Sequence, residues 1–185
     1  KSAQNFEFQR QRRDALTLPY KIPREEVNGF RETIMDSINC TETTPIRNHP
    51  IVFLVKRRDA GLKRNIINID GLINKTRSLC PLCNVMEIDY QIFDKIGQIK
   101  ATANISALIG IHGSGLIHTA WMAPSTKERP TAVIEITPYL YDCRHWYEDL
   151  ARTSGVQYFR IPTTSRNNTR WDEWHNKEKV ENCLS

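Results

Sequence analysis

Two short apolar runs, Ala107–Ile111 and Ala132–Ile136, constrain this chain most, because each has the length and continuity of a strand buried on both faces. Between them lie a glycine-bracketed turn, His112-Gly113-Ser114-Gly115, and the apolar segment Leu116–Ala123, which stops at Pro124. Proline disfavours helical backbone in the residue before it, so the segment reads as a crossover helix of about two turns. Strand, turn, helix, loop and strand together make a βαβ unit of a parallel sheet. Such a unit places backbone N–H groups and a helix N-terminus at the carboxyl end of a strand, where anionic ligands are commonly held.

The turn itself can be read physically. Gly113 and Gly115 allow positive φ and remove Cβ atoms, so a ligand can come close to the backbone. His112 stands where the strand ends, with its ring expected to point into the same crevice. The string is not a nucleophile elbow, since that pattern needs glycines at 112 and 116, which are His and Leu. Nor is it the dinucleotide fingerprint, because His118 stands where that pattern has Gly or Ala. Taken alone, the bland reading of HGSG is a tight strand-to-helix turn with a hydrogen-bonded histidine.

The rest of the chain alternates in the same way. Arg24–Ile38 predicts an amphipathic helix with Val27, Phe30, Ile34 and Ile38 on its inner face and Gly29 as a weak point. Ile51–Val55 is a buried strand by pattern, followed by the basic segment Lys56-Arg57-Arg58 and by Arg64. Asn65–Ile73 suits a short helix, Val85–Ile88 a strand, and Tyr90–Thr102 a helix burying Ile92, Phe93, Ile96 and Ile99. Asp142–Ser154 is expected to be helical, with Trp146, Leu150 and Ala151 inward and Gly155 as its C-cap. Tyr158–Ile161 is the last strand, and Trp171 and Trp174 sit in a polar tail expected to be helical. Strands separated by helices at this spacing define an α/β sheet of roughly four or five parallel strands. The organisation expected is residues 1–22 as an extension wrapping onto a missing neighbour, 23–162 as the domain, and 163–185 as the tail.

With 185 residues, 39% of them hydrophobic, the chain can bury the core of one domain. Its formal charge of +5 comes from 26 basic against 21 acidic residues, without the clustered basic and aromatic pattern of a nucleic-acid surface. An anionic small ligand fits that balance better. No run is long enough to cross a membrane and no signal peptide is recognisable, while the opening KSAQNFEFQRQRRDAL reads as an internal cut. Cys80 and Cys83 form a CxxC, but without a second CxxC or a nearby His pair it does not read as a metal site. With Cys40, Cys143 and Cys183 the cysteines are either disulfides of a lumenal protein, one left over, or inert buried thiols. Asn39, Asn74, Asn104 and Asn167 each begin an Asn-x-Ser/Thr triplet; glycan is expected on Asn39, Asn74 or Asn167 rather than Asn104, which abuts the buried strand.

Three linked blocks carry a resemblance. HGSGL–IH–AWMAP followed by AVIEI and Pro138 resembles the HGAGL-T-LF-P and A-VEL-P block of glycosyltransferase family 61. Upstream, Ile51–Val55, an arginine, and Arg64-Asn65-Ile66-Ile67-Asn68 resemble that family's strand, Arg and Arg-x-Ile-Leu-Asn pattern, with either Arg57 or Arg58 as the first counterpart. Downstream, Asp149-Leu150-Ala151-Arg152 with Gly155-Val156-x-Tyr158 is similar to a segment of some members. The likeness runs from Pro50 to Ile161 in consistent order; Ser114 replaces the usual alanine.

The resemblance implies a Rossmann-like parallel sheet that is the C-terminal, nucleotide-sugar-binding half of a GT-B glycosyltransferase. It implies transfer of a sugar, N-acetylglucosamine or xylose, from a UDP-sugar donor to a protein or glycan hydroxyl, with no bound cofactor and no metal. Charge growing on the departing diphosphate would be met by backbone N–H groups, a helix dipole and basic side chains. Gly113, Ser114 and Gly115 would offer donors, Arg57 or Arg58 and Arg64 bidentate phosphate contacts, His112 a phosphate or sugar contact, and Glu135 a ribose or sugar hydroxyl contact. No catalytic base is assigned, His112 being the one candidate here; the base would lie in an N-terminal domain. The expected partners are the nucleotide sugar, the acceptor and that domain, with no nucleic acid, and with a membrane only through an N-terminal anchor. The compartment implied is the lumen of the endoplasmic reticulum or Golgi. The competing readings are solvated arginines on a surface loop and a Glu135 satisfied by a helix N-terminus. Two other classes stay open: a non-catalytic relative acting as a structural module, and a hydrolase using Ser114 with His112 or His118 as base.

Overall fold

The computed structural model of the chain describes residues 23–40, 50–56, 66–139 and 145–164. Five strands form a single sheet: β1 (Ile51–Val55), β2 (Asn84–Ile88), β3 (Ala107–Ile111), β4 (Ala132–Thr137) and β5 (Gln157–Pro162). Their order is β2-β1-β3-β4-β5 and every pairing is parallel. This is an α/β fold of Rossmann-like type. Four α-helices are described: α1 (Arg24–Ser37), α2 (Ile69–Leu79), α3 (Lys95–Ala103) and α4 (Trp146–Ser154). Short 3-10 helices span Tyr90–Ile92 and Ser114–Trp121. None of the helices among the described residues is long and apolar enough to cross a membrane.

Alternation along the central strands sorts the core into two layers. In register, Phe53 lies beside Leu108 and Leu108 beside Val133. That row packs against Leu116, Met122, Tyr147, Ala151 and Val156. The residues between them, Val52, Leu54 and Ile109, face the other way and pack with Val85 and Ile73 of α2. Both faces of β1 and β3 are therefore buried, which is why their sequences read as continuous apolar runs. On a third side, Met35 of α1 meets Cys40 and Ala103, with Ile99 and Trp121 beside them.

Several local expectations are corrected. The helix expected over Tyr90–Thr102 is split, because two aspartates each cap a separate start. Asp89 accepts from the Gln91 amide at 3.0 Å, while Asp94 accepts from the Gly97 amide at 2.6 Å and N-caps α3. The split leaves Ile92, Phe93 and Ile96 exposed, and only Ile99 turns inward. In α1 the buried face is set by Arg31 and Met35, whereas Phe30 is 62% exposed. In α4 the inward aromatic is Tyr147, and Trp146 is half exposed. The helix expected at Asn65–Ile73 instead occupies Ile69–Leu79, ending just before the Cys80-Pro81 step.

The expected C-cap is present. Gly155 is left-handed at φ 73°, and its amide and that of Val156 return to α4, to the Arg152 carbonyl at 3.3 Å and the Ala151 carbonyl at 2.8 Å. A Cβ there would lie 3.2 Å from Pro124 Cβ. Gly155→Ala should thus lower stability by about 1–2 kcal/mol, since an L side chain resists this conformation. The check is a urea titration in which the midpoint falls while the slope holds.

Candidate nucleotide site at the carboxyl edge of the sheet

The strand order places a switch point between β1 and β3: the chain moves from β1 to β2 on one side, then returns to β3 on the other. Ligands of open α/β sheets sit in the crevice outside the carboxyl ends at such a point. Here β1 ends at Val55 and β3 at Ile111, followed by His112 and the glycine turn. Between them opens a crevice of about 290 Å³, whose walls include Lys56, Asp89, Gln98, Ser114, Gly115 and His118. Arg57, Arg58 and Arg64 follow β1 in the sequence and lie outside the described residues.

The glycines act through space rather than through handedness. Gly113 is extended, at φ 160° and ψ 175°, and Gly115 lies within the 3-10 helix, so neither adopts the left-handed backbone expected at this turn. A Cβ on Gly115 would stand 2.6 Å from Val55 Cγ1, a separation no real Cβ tolerates. A Cβ on Gly110 would meet Leu116 at 3.1 Å and Val55 at 3.3 Å. Missing side chains thus let the helix after β3 press onto the end of β1. Its opening amides, Ser114 and Gly115, precede the first turn-closing bond, from the Leu116 amide to the Gly113 carbonyl at 2.9 Å.

Glu135 and His112 are brought together. On β4, Val133, Glu135 and Thr137 share one buried face, and Glu135 is only 1% exposed. One carboxylate oxygen takes the His112 Nδ1, and the other accepts from the Tyr158 hydroxyl at 2.6 Å. The geometry is diagonal. Glu135 lies opposite Gly110 and Arg160, and His112 and Tyr158 each sit two residues along their strands, on the same face as Glu135. A carboxylate only accepts, so His112 Nδ1 carries the proton. Tyr147 meets the His112 ring edge-on with centroids 5.2 Å apart, and Trp146 lies at 6.4 Å. Burial, with the bond it donates to Glu135, holds the Tyr158 phenol well above its usual range. Glu135 is therefore satisfied by two side chains within the sheet, not by a helix N-terminus.

His118 is different. It is buried, and its ring stacks on Tyr90 at a centroid distance of 3.6 Å. The Tyr90 hydroxyl pairs with Thr102 at 2.8 Å. His118 Nδ1 has no hydrogen-bond partner, and burial lowers its pKa to about 4. Among the described residues no hydrogen bond joins Ser114 to His112 or His118, the two bases the hydrolase reading names. Cys80 and Cys83 are joined as a disulfide, and Cys40 is a buried free thiol; Cys143 and Cys183 lie outside the described residues. Asn39 and Asn74 are exposed, Asn104 is partly buried, and Asn167 lies outside the described residues.

Tyr158 and Tyr147 were not anticipated as parts of this site. The strand Tyr158–Ile161 alternates Tyr and Arg with Phe and Ile, which places Tyr158 and Arg160 on one face. Only the register with β4 puts that face beside Glu135.

The sheet is open and all-parallel, with a glycine turn after β3 at the β1/β3 switch point and a buried histidine–carboxylate pair between β3 and β4, the architecture of a Rossmann-like α/β module. The family model described as Glycosyltransferase 61 matches residues 15–128, and the chain belongs to this family. It is 28% identical to the EGF domain-specific O-linked N-acetylglucosamine transferase of Mus musculus over 133 residues, covering 70% of this chain and 23% of the relative. The protein of that name from Xenopus laevis is 30% identical over 132 residues, and that from Drosophila melanogaster 29% over 137, with the same coverage of both chains. The chain thus spans about a quarter of the length of these relatives.

The His118 ring yields a pH prediction. Its folded pKa lies below the unfolded value near 6.5, so the neutral form is favoured on folding. The stability this contributes is complete above about pH 6.5 and is lost as pH falls towards 4, on the order of 3 kcal/mol in all. Urea midpoints measured between those pH values should fall more steeply for wild type than for His118→Phe, which keeps the stack on Tyr90 but cannot titrate.

Proposed function

We propose that this chain is the donor-binding, C-terminal half of a GT-B glycosyltransferase. It moves N-acetylglucosamine or xylose from a UDP-sugar to a hydroxyl of a protein or glycan. The observation that carries the reading is the placement of the glycine turn and His112 at the β1/β3 switch point in a chain of this family. The curated relatives are named for N-acetylglucosamine transfer, which favours that sugar.

The chemistry follows from charge. As the bond between the sugar and the diphosphate breaks, negative charge collects on the phosphate oxygens and must be stabilised in place. The Gly113, Ser114 and Gly115 amides meet part of that charge. Arg64, with Arg57 or Arg58, supplies planar forks that hold two phosphate oxygens at once. His112 faces the same ligand, while Glu135, turned inward, contributes by holding His112. No cofactor or metal is required by this scheme; the UDP-sugar is substrate. The base that deprotonates the acceptor belongs to an N-terminal domain that closes over the crevice. The Cys80–Cys83 disulfide and the exposed Asn39 and Asn74 support a lumenal compartment, the endoplasmic reticulum or Golgi.

The test is made on the full-length protein. Calorimetry with UDP in excess chelator should show binding; heat appearing only after manganese is restored would count against this mechanism. Arg64→Ala should cost roughly 2–4 kcal/mol of transition-state stabilisation, about two to three decades in rate, and lysine should rescue only in part. Turnover unchanged in Arg64→Ala would remove that residue from the site.

A further inference from the structure

From the diagonal chain across β3, β4 and β5 we infer that Tyr158 is a positioning residue for His112, acting through Glu135. The inference rests on the reading that the glycine turn binds the diphosphate of a sugar donor. The Tyr158 hydroxyl donates to one Glu135 oxygen at 2.6 Å, and the other oxygen receives the His112 Nδ1–H. A carboxylate held at one oxygen can neither rotate about its terminal torsion nor drift from the imidazole, a torsion that is otherwise broad.

Three features make the arrangement a clamp. Glu135 is 1% exposed, so water does not stand in for either partner. Tyr158 is anchored by the β4–β5 register, beside Val133, and needs only its ring length to reach Glu135. The His112 ring is bounded on its own side by Tyr147 and Trp146. With Nδ1–H committed to Glu135, the tautomer is set, and Nε2 is the ring atom on the side away from the carboxylate. A buried carboxylate that fixes the tautomer of an imidazole is a known source of large rate effects when disturbed. Here the carboxylate is itself held by a phenol whose proton is firmly retained.

Tyr158→Phe removes one hydroxyl and keeps the ring, so it isolates the contact. In the full-length protein it should lower kcat by about ten- to a hundredfold, the range for partners that orient a site residue from behind. The donor KM should change little. A second readout needs no activity. In isotope-labelled wild type, the His112 Nδ1 proton should resonate far downfield, as protons donated to carboxylates do, with His112→Asn confirming its assignment. In Tyr158→Phe that resonance should move or broaden, although near-ultraviolet circular dichroism shows the fold intact. Glu135→Gln should abolish the downfield signal. A merely structural tyrosine would lower stability without moving it.

Wild-type kcat and an unmoved His112 proton in folded Tyr158→Phe would overturn the inference while leaving the donor-binding reading in place. A wild type that neither binds UDP nor transfers sugar, yet shows the downfield proton and its response to Tyr158→Phe, would uphold the clamp and overturn the transferase reading.

Discussion

The structure depends on one buried charge. Glu135 stands mid-strand in a parallel sheet, on a strand whose other residues are apolar or hydroxylated, with almost no access to water. An ionised carboxylate left unpaired there would cost several kcal/mol, comparable to much of the stability of a domain this size. Two hydrogen bonds from the neighbouring strands remove that cost, and both depend on register. A slip of one residue in β3 or β5 would carry His112 or Tyr158 to the opposite face. The polar chain therefore specifies the pairing of three strands.

The glycine turn fits the same frame. Gly110, directly opposite Glu135, and Gly115 both lack the Cβ that would collide with Val55 or Leu116. The helix after β3 can then close onto β1, and its first amides stand at the switch point beside His112. Two results of a sheet built from β1, β3 and β4 thus meet at one edge: a close backbone and a fixed imidazole. The chain belongs to the Glycosyltransferase 61 family, and the donor site proposed for it lies on that edge.

Much of the fold was legible because buried parallel strands announce themselves. Ile51–Val55 and Ala107–Ile111 are continuous apolar runs and were placed to the residue, and β4 extends the expected run by Thr137 alone. Gly155 was legible as a C-cap since nothing else ends a helix so cheaply. The helix faces were less legible. Arg31 and Met35, rather than Phe30, set the buried side of α1, because α1 packs on α4, the Ala103 end of α3 and the Trp121 segment instead of the sheet. The Tyr90–Thr102 pattern concealed two aspartate caps within one apolar periodicity. In the site, His112 and Glu135 stood out as polar residues flanked by strand patterns, but their union, and the third member Tyr158, required the strand order. No local pattern reports which strand lies beside which.

The central claim is that the amides between β3 and its following helix receive a nucleoside diphosphate. Hydrogen–deuterium exchange of the full-length protein with and without UDP tests it most directly. The account predicts slowed exchange at Gly113, Ser114 and Gly115, with little change at the amino edge of the sheet. UDP binding that leaves those amides exchanging as before, and protects another surface instead, would contradict it.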